Sequence, residues 1–232
     1  MNKKNLLILV LIIVSGILYF NYVSTTNTQK EITLSRIIDG DTIEAENGFK
    51  IRLKGLNVPE KGMPGYQEAT HFLENNLQNQ KIYFENTGID KYGRFLGYLL
   101  VNNQNINQEI LRNGLGHLYY YEKDSYYEKL KQTEEKARNS QLGIWKKSQY
   151  SDCLKLIELD YYDKGDDHEK LILQNNCGKE INVIIKDDAT HIYKERIKEG
   201  TFTKTFQNIF NDNGDTLYIW DNEGKLIIFY RY

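Results

Sequence analysis

Ile51-Arg52-Leu53-Lys54-Gly55-Leu56-Asn57-Val58-Pro59-Glu60 opens with the apolar/polar alternation of a half-buried strand and breaks at a proline that presents a glutamate. Upstream lies Ile38-Asp39-Gly40-Asp41-Thr42, and downstream lies Asp90-Lys91-Tyr92-Gly93-Arg94. Together they supply the carboxylates of Asp41 and Glu60, the guanidiniums of Arg52 and Arg94, and the amide of Asn57. Such groups can hold a hard cation against a phosphodiester. The first two-thirds of the chain is read as the scaffold that positions them.

Working outward, Ile32 to Ile38 alternates as a strand, Asp39-Gly40 is a tight-turn signal, and Thr42 to Glu46 returns as a second strand. Asn47-Gly48 marks another hairpin, and Phe49 to Leu56 is a third strand, so three antiparallel strands form a meander. Tyr66 to Asn79 has helical periodicity, Lys81 to Glu85 is a short strand, and Phe95 to Val101 is a further strand. A short helix around Ile106, Ile110 and Leu111 stops at Asn113-Gly114, and a longer one runs from Tyr126 to Leu142. Ile144-Trp145 is expected to pack back onto the core of this unit. Five strands with inserted helices predict an OB-type Greek-key barrel over residues 31–148, an architecture that commonly binds oligonucleotides.

Asp39-Gly40-Asp41-Thr42, the Arg52 to Glu60 run and Asp90 to Arg94 resemble, in order and spacing, the motifs of the staphylococcal nuclease (thermonuclease) family. Gly114-Leu115 and the closing Gly143-Ile144-Trp145 agree with it. The resemblance implies a nuclease that binds Ca2+ through Asp41, Asn57 and the backbone carbonyl of Val58. It implies that Glu60 orients or deprotonates the attacking water and that Arg52 and Arg94 clamp the phosphate. Lys91 and Tyr92 resemble residues that contact a nucleotide phosphate, and Tyr120 falls near a family tyrosine that contacts the nucleotide. Tyr119-Tyr120-Tyr121 reads equally as strand or core aromatics. The family has a carboxylate where this chain has Asn57, so calcium binding is expected to be weaker but retained. His71 and His117 lie outside the motifs and read as solvated or otherwise satisfied.

At the amino terminus, Lys3 and Lys4 precede an uncharged run from Leu6 to Val23, which as a helix would cover about 27 Å, near the thickness of a hydrocarbon core. This predicts a transmembrane anchor over residues 1–23, with the lysine end cytoplasmic and the remainder exported. A cleaved signal peptide and a secreted product is the competing reading. Residues 24–30 read as a linker. Cys153 and Cys177 would bridge if exported, and two unrelated buried thiols fit as well.

Gln149 to Asp152 reads as a second linker. From residue 153 to 232 the chain carries more acids than bases and breaks into short alternating segments between turns, which predicts an all-β immunoglobulin-like sandwich. Phe210 to Lys225 resembles the closing hairpin of a lamin-tail domain, a non-catalytic module. Asp160, Asp163, Asp166, Asp167, Asp212 and Asp215 read as solvated turn acids rather than a second calcium site.

Of the 232 residues, 40% are hydrophobic and 27% charged, with a formal net charge of −2, which suits a globular protein and excludes a global basic field. DNA and RNA are therefore expected to bind locally, at the site. The expected whole is a calcium-dependent, membrane-tethered extracytoplasmic nuclease of low sequence specificity leaving 3′-phosphates, with a surface partner for the carboxyl-terminal domain. The alternative is a catalytically weakened nucleic-acid or protein binding module at the cell surface. A third reading is an adhesin.

Overall fold

The computed structural model describes residues 29–161 and 169–232. The expected membrane span over residues 1–23 lies outside those residues, as do Asp163, Asp166 and Asp167. Among the described residues no helix is long and apolar enough to cross a membrane.

Strand β1 (Gln29–Ile32) is separated from β2 (Leu34–Ile37) by Thr33 alone. Residues 29 and 30, expected in the linker, thus belong to the first strand, and the single strand read from Ile32 onward is two. β2 pairs antiparallel with β3 (Thr42–Ala45), and β3 pairs antiparallel with β4 (Lys50–Leu53), as the two turn signals dictate. β4 then pairs in parallel with β7 (Phe95–Val101), which is antiparallel to β6 (Ile82–Ile89), and β6 is antiparallel to β1. The sheet order β1-β6-β7-β4-β3-β2 therefore starts and finishes on one kinked segment, which closes the sheet on itself. β6 is longer than the expected Lys81 to Glu85 because it continues the hairpin with β7 out to Ile89.

Two short strands, β5 (Leu56–Asn57) and β9 (His117–Leu118), form a separate ribbon that carries Asn57 opposite His117. β8 (Gln104–Asn105) pairs with β7. Helices α1 (Tyr66–Leu77), α2 (Ile106–Arg112) and α3 (Tyr127–Asn139) fall on the segments where apolar residues recur at helical spacing. Ala69, Leu73 and Leu77 of α1 join Ile43, Ile51, Leu53 and Leu99 of the strands in one core. Each fully buried aliphatic side chain there contributes about 1.5–3 kcal/mol.

The carboxyl-terminal part is all β. β10 (Leu154–Asp160), β11 (Glu169–Asn175) and β14 (Gly200–Phe206) make one sheet. β12 (Ile181–Lys186), β13 (Ile192–Ile197), β15 (Thr216–Asp221) and β16 (Leu226–Arg231) make the other, in the order β13-β12-β15-β16. Leu171, Leu173, Val183, Ile185 and Leu217 fill the space between the two sheets. Cys153 and Cys177 are joined by a disulfide.

The two parts share a third cluster. Ala137, Ile144 and Trp145 pack with Ile184, Tyr218 and Trp220, so Ile144-Trp145 seals the junction with the sandwich and not the barrel core alone. The Trp220 indole N–H donates to the Ile144 carbonyl at 2.9 Å. Lys147 bridges to Leu226, with Ser148 N–H on the Leu226 carbonyl at 2.8 Å and Leu226 N–H on the Lys146 carbonyl at 2.7 Å. The chain entering the expected 149–152 linker is therefore already bonded to the second unit.

Candidate active site

Asp41 sits one residue before β3, at the end of the Asp39-Gly40 turn. Its N–H donates to Asp39 Oδ1 at 3.0 Å, and the Ile38 N–H closes the loop on the Thr42 carbonyl at 2.9 Å. Gly40 is required by packing: a Cβ there would lie 2.5 Å from the Ala69 Cβ of α1. The turn thus lies tightly against the helix and aims Asp41 inward.

Arg52, on β4, faces Asp41 because Thr42 and Arg52 are ladder partners. Its Nη1 lies 2.9 Å from Asp41 Oδ2, and its Nη2 donates to the side-chain oxygen of Asn57. Two further bonds, to the Leu53 carbonyl at 3.0 Å and the Leu56 carbonyl at 3.1 Å, fix the guanidinium plane. Asp41 also accepts from Thr42 Oγ1 at 2.9 Å and from the Val58 N–H at 3.3 Å. Burial raises the Asp41 carboxyl to about 6, against the lowering field of Arg52 and with some help from Asp39.

Asn57 is buried, and its amide N–H donates to the backbone carbonyl of Asp188 in the second unit at 2.7 Å. Gly116 leaves room for this ribbon: a Cβ there would approach the Asn57 carbonyl to 2.5 Å. Pro59 and Glu60 follow directly, and the Glu60 side chain is exposed. Val58, Glu60, His117, Lys186, Ile184 and Trp220 line a small cavity at the junction of the two units.

Arg94 immediately precedes β7, where the parallel ladder sets Phe95 beside Ile51 and Leu96 beside Arg52. Its Nε bonds Asp90 Oδ2 at 2.7 Å, and the guanidinium lies over the exposed Tyr92 ring at 5.4 Å. Burial would raise the Asp90 carboxyl, but hydrogen bonds from Arg94 and the Tyr92 N–H outweigh it and hold it low. Lys91 also stands over Tyr92, at 5.2 Å.

The structure thus brings Asp41, Arg52, Asn57 and Val58 into direct contact, sets Glu60 with Val58 in the lining of the junction cavity, and holds Arg94 on Asp90 and Tyr92. Tyr120 is set differently: its hydroxyl bonds Tyr98 at 2.7 Å and Asp124 at 3.1 Å, in a cluster to which Lys54 adds an ion pair. His71 is exposed, as expected of a residue outside the motifs. His117 is not solvated: it is buried against Tyr218, with ring centroids 4.7 Å apart, and burial holds it neutral, well below its ordinary pKa.

The donors around Asp41 are all oxygens: its carboxylate, the Asn57 amide oxygen, the Thr42 hydroxyl and nearby backbone carbonyls. Among the described residues no three His, Cys, Asp or Glu side chains converge as a metal cluster, so a cation here would draw on carbonyl, amide and water oxygens. That donor set fits a hard ion.

Sequence reasoning passed over Lys186, Asp188, Glu134 and Arg231. Asp188 follows a strand in an acidic turn, which reads as solvated in any single segment. Asp215 likewise reads as a turn acid, yet it is buried and accepts from the Asp188 N–H at 3.0 Å and the Thr216 N–H at 2.7 Å.

Residues 50–147 match the model of the staphylococcal nuclease homologue family. A thermonuclease of Staphylococcus intermedius is 30% identical over 168 residues, covering 63% of this chain and 100% of that relative. An uncharacterised protein of Methanocaldococcus jannaschii is 32% identical over 166 residues, 55% of this chain and 78% of its own length. The endonuclease YncB of Bacillus subtilis is 33% identical over 133 residues, 51% of this chain and 63% of its own. Shared identity of this extent, with Arg52, Glu60 and Arg94 inside residues 50–147, establishes that the chain belongs to the staphylococcal nuclease family and is a nuclease.

Proposed function

We propose that the protein is a calcium-dependent nuclease acting on both DNA and RNA outside the cytoplasm, with little sequence preference. The observation that carries this reading is the double engagement of Arg52, which touches Asp41 and Asn57 at once, with Glu60 three residues on from Asn57 in the lining of the junction cavity. Asp41, the Asn57 oxygen and the Val58 carbonyl would hold the cation, which when bound neutralises charge on the phosphate. Glu60, reachable from solvent, takes the proton of the attacking water. The new P–O bond forms as the bond to the 5′ oxygen breaks, that oxygen taking a proton from solvent to become a hydroxyl, and a 3′-phosphate is left. Arg52 and Arg94 stabilise the charge that builds on the phosphate oxygens, and Arg94 exchanges Asp90 for the phosphate as it does so. Lys91, Tyr92 and Tyr120 are read as substrate contacts, with Tyr120 acting through its ring edge because its hydroxyl is engaged.

The barrel is read as OB-type and the two-sheet unit as an immunoglobulin-like, lamin-tail-like module that tethers or targets the enzyme. The disulfide supports an oxidising compartment. With it, the membrane anchor over residues 1–23, or secretion after cleavage, remains part of this proposal. A weakened binding module is the second reading, favoured by one observation, the neutral amide at position 57. Digestion of plasmid DNA and of RNA in millimolar calcium, then with chelator, decides between them. Cleavage that the chelator stops is the expected result, and binding without cleavage would favour the module.

A further inference from the structure

The second unit is bonded directly to Asn57, and the polarity of that bond constrains the site. An arginine only donates and a backbone carbonyl only accepts. The Asn57 amide lies between the two, with its oxygen toward Arg52 and its nitrogen toward the Asp188 carbonyl. Turned over, it would set a donor against Arg52 and an acceptor against a carbonyl, losing both bonds. Only an amide satisfies both neighbours, because an ionised carboxylate has nothing to donate. The two ends of an amide also differ in a way that matters here: the oxygen can take a cation on its second lone pair, and the NH2 group repels one.

The Asp188 carbonyl is itself held firmly. The Asp188 carboxylate accepts from Tyr218 at 2.8 Å and Thr216 at 2.9 Å, and its N–H donates to the buried Asp215 at 3.0 Å. Lys186, at the end of β12, donates to the Asp187 carbonyl at 2.9 Å and to the Ala189 carbonyl, and lies 3.4 Å from Nε2 of His117. His117 is the ladder partner of Asn57. The whole β12–β13 turn is therefore seated on the ribbon that carries Asn57.

We propose that Asp188 is a positioning residue of the nuclease site, its backbone carbonyl holding the Asn57 amide so that the oxygen faces Arg52 and the cation. The sandwich is on this account a working part of the site as well as a tether. The cation clause rests on the reading of Asp41 and Asn57 as metal ligands given above. The bond itself does not, and the two are tested separately.

In the metal-free full chain, hydrogen exchange is followed at the amides of residues 187–191. Asn57→Asp, which sets a carboxylate against the Asp188 carbonyl, is expected to speed their exchange about tenfold, the scale of one lost hydrogen bond. Calcium affinity is then measured by titration calorimetry in a cycle. Asp188→Ala, which frees the turn, is expected to weaken calcium binding about tenfold in the parent and less than twofold in Asn57→Asp, where both ends are oxygens and orientation has no meaning. A merely structural role would weaken both backgrounds alike, and that result overturns the proposal, as does unchanged exchange in Asn57→Asp. If the parent binds no calcium, the metal reading and the positioning role both fall, while the exchange data still decide whether the bond exists.

Discussion

Arg231, on the last strand of the sandwich, forks onto Glu134 of helix α3 with hydrogen bonds of 2.8 and 3.1 Å. Glu134 is fully enclosed and also accepts from the Leu118 N–H at 2.8 Å. A carboxylate buried in the nuclease unit is thus neutralised by a cation from the other.

Arg231→Ala leaves that carboxylate buried and unpaired. The expected loss in denaturant unfolding of the full chain is about 3–5 kcal/mol, the scale of breaking a buried pair. Because Trp145, Tyr218 and Trp220 share one cluster, parent unfolding is expected to be a single transition. Two separated transitions, or a loss below about 0.5 kcal/mol, would show that the units are independent.

Asp41 sets a pH dependence for the metal-free protein. Its carboxyl, raised by burial to about 6 from the ordinary 3.8, binds a proton more tightly folded than unfolded. Its ionisation therefore costs stability: the cost is full above about pH 6, shrinks as pH falls, and is gone below about pH 4. Asp41→Asn removes this titration. The stability of the variant relative to the parent is expected to grow by about 2–3 kcal/mol between pH 4 and pH 8, read from thermal melts in chelator. A difference that does not change with pH would contradict the buried, ionisable state assigned to Asp41.

The Cys153–Cys177 disulfide spans a sequence separation of 24 and ties the start of β10 to the end of β11. Closing a loop of that size is worth about 3 kcal/mol through the unfolded chain. Melting with and without reductant, and of the double Cys→Ser variant, is expected to show that loss. Equal melting temperatures would show the bond is absent in solution.

The strands around Arg52 and Asp41 were legible because alternation and Asp-Gly and Asn-Gly turns are local signals, and the closed sheet follows from where those strands pair. The Arg52 to Glu60 run was legible as a site for the same reason, since its groups lie within one segment. The junction was not. It is built from pairs such as Glu134 with Arg231 and Asn57 with Asp188, 97 and 131 residues apart, whose members look like ordinary surface charges or turn residues in their own segments. Ile144 and Trp145 announced a buried turn but not the surface that covers it. The kink at Thr33 was invisible because Gln29-Lys30-Glu31 carries no alternation to mark a strand, and only pairing with different neighbours separates the two halves.

The central claim is that Glu60 handles the proton in a metal-assisted hydrolysis centred on Asp41, Arg52 and Asn57. Glu60→Gln keeps the shape of an exposed side chain and removes the base. Single-turnover cleavage of a labelled DNA strand in saturating calcium, with calcium affinity measured alongside, tests this directly. The account predicts an unchanged affinity and a rate reduced by about a hundredfold or more. A Glu60→Gln rate within about twofold of the parent would contradict it.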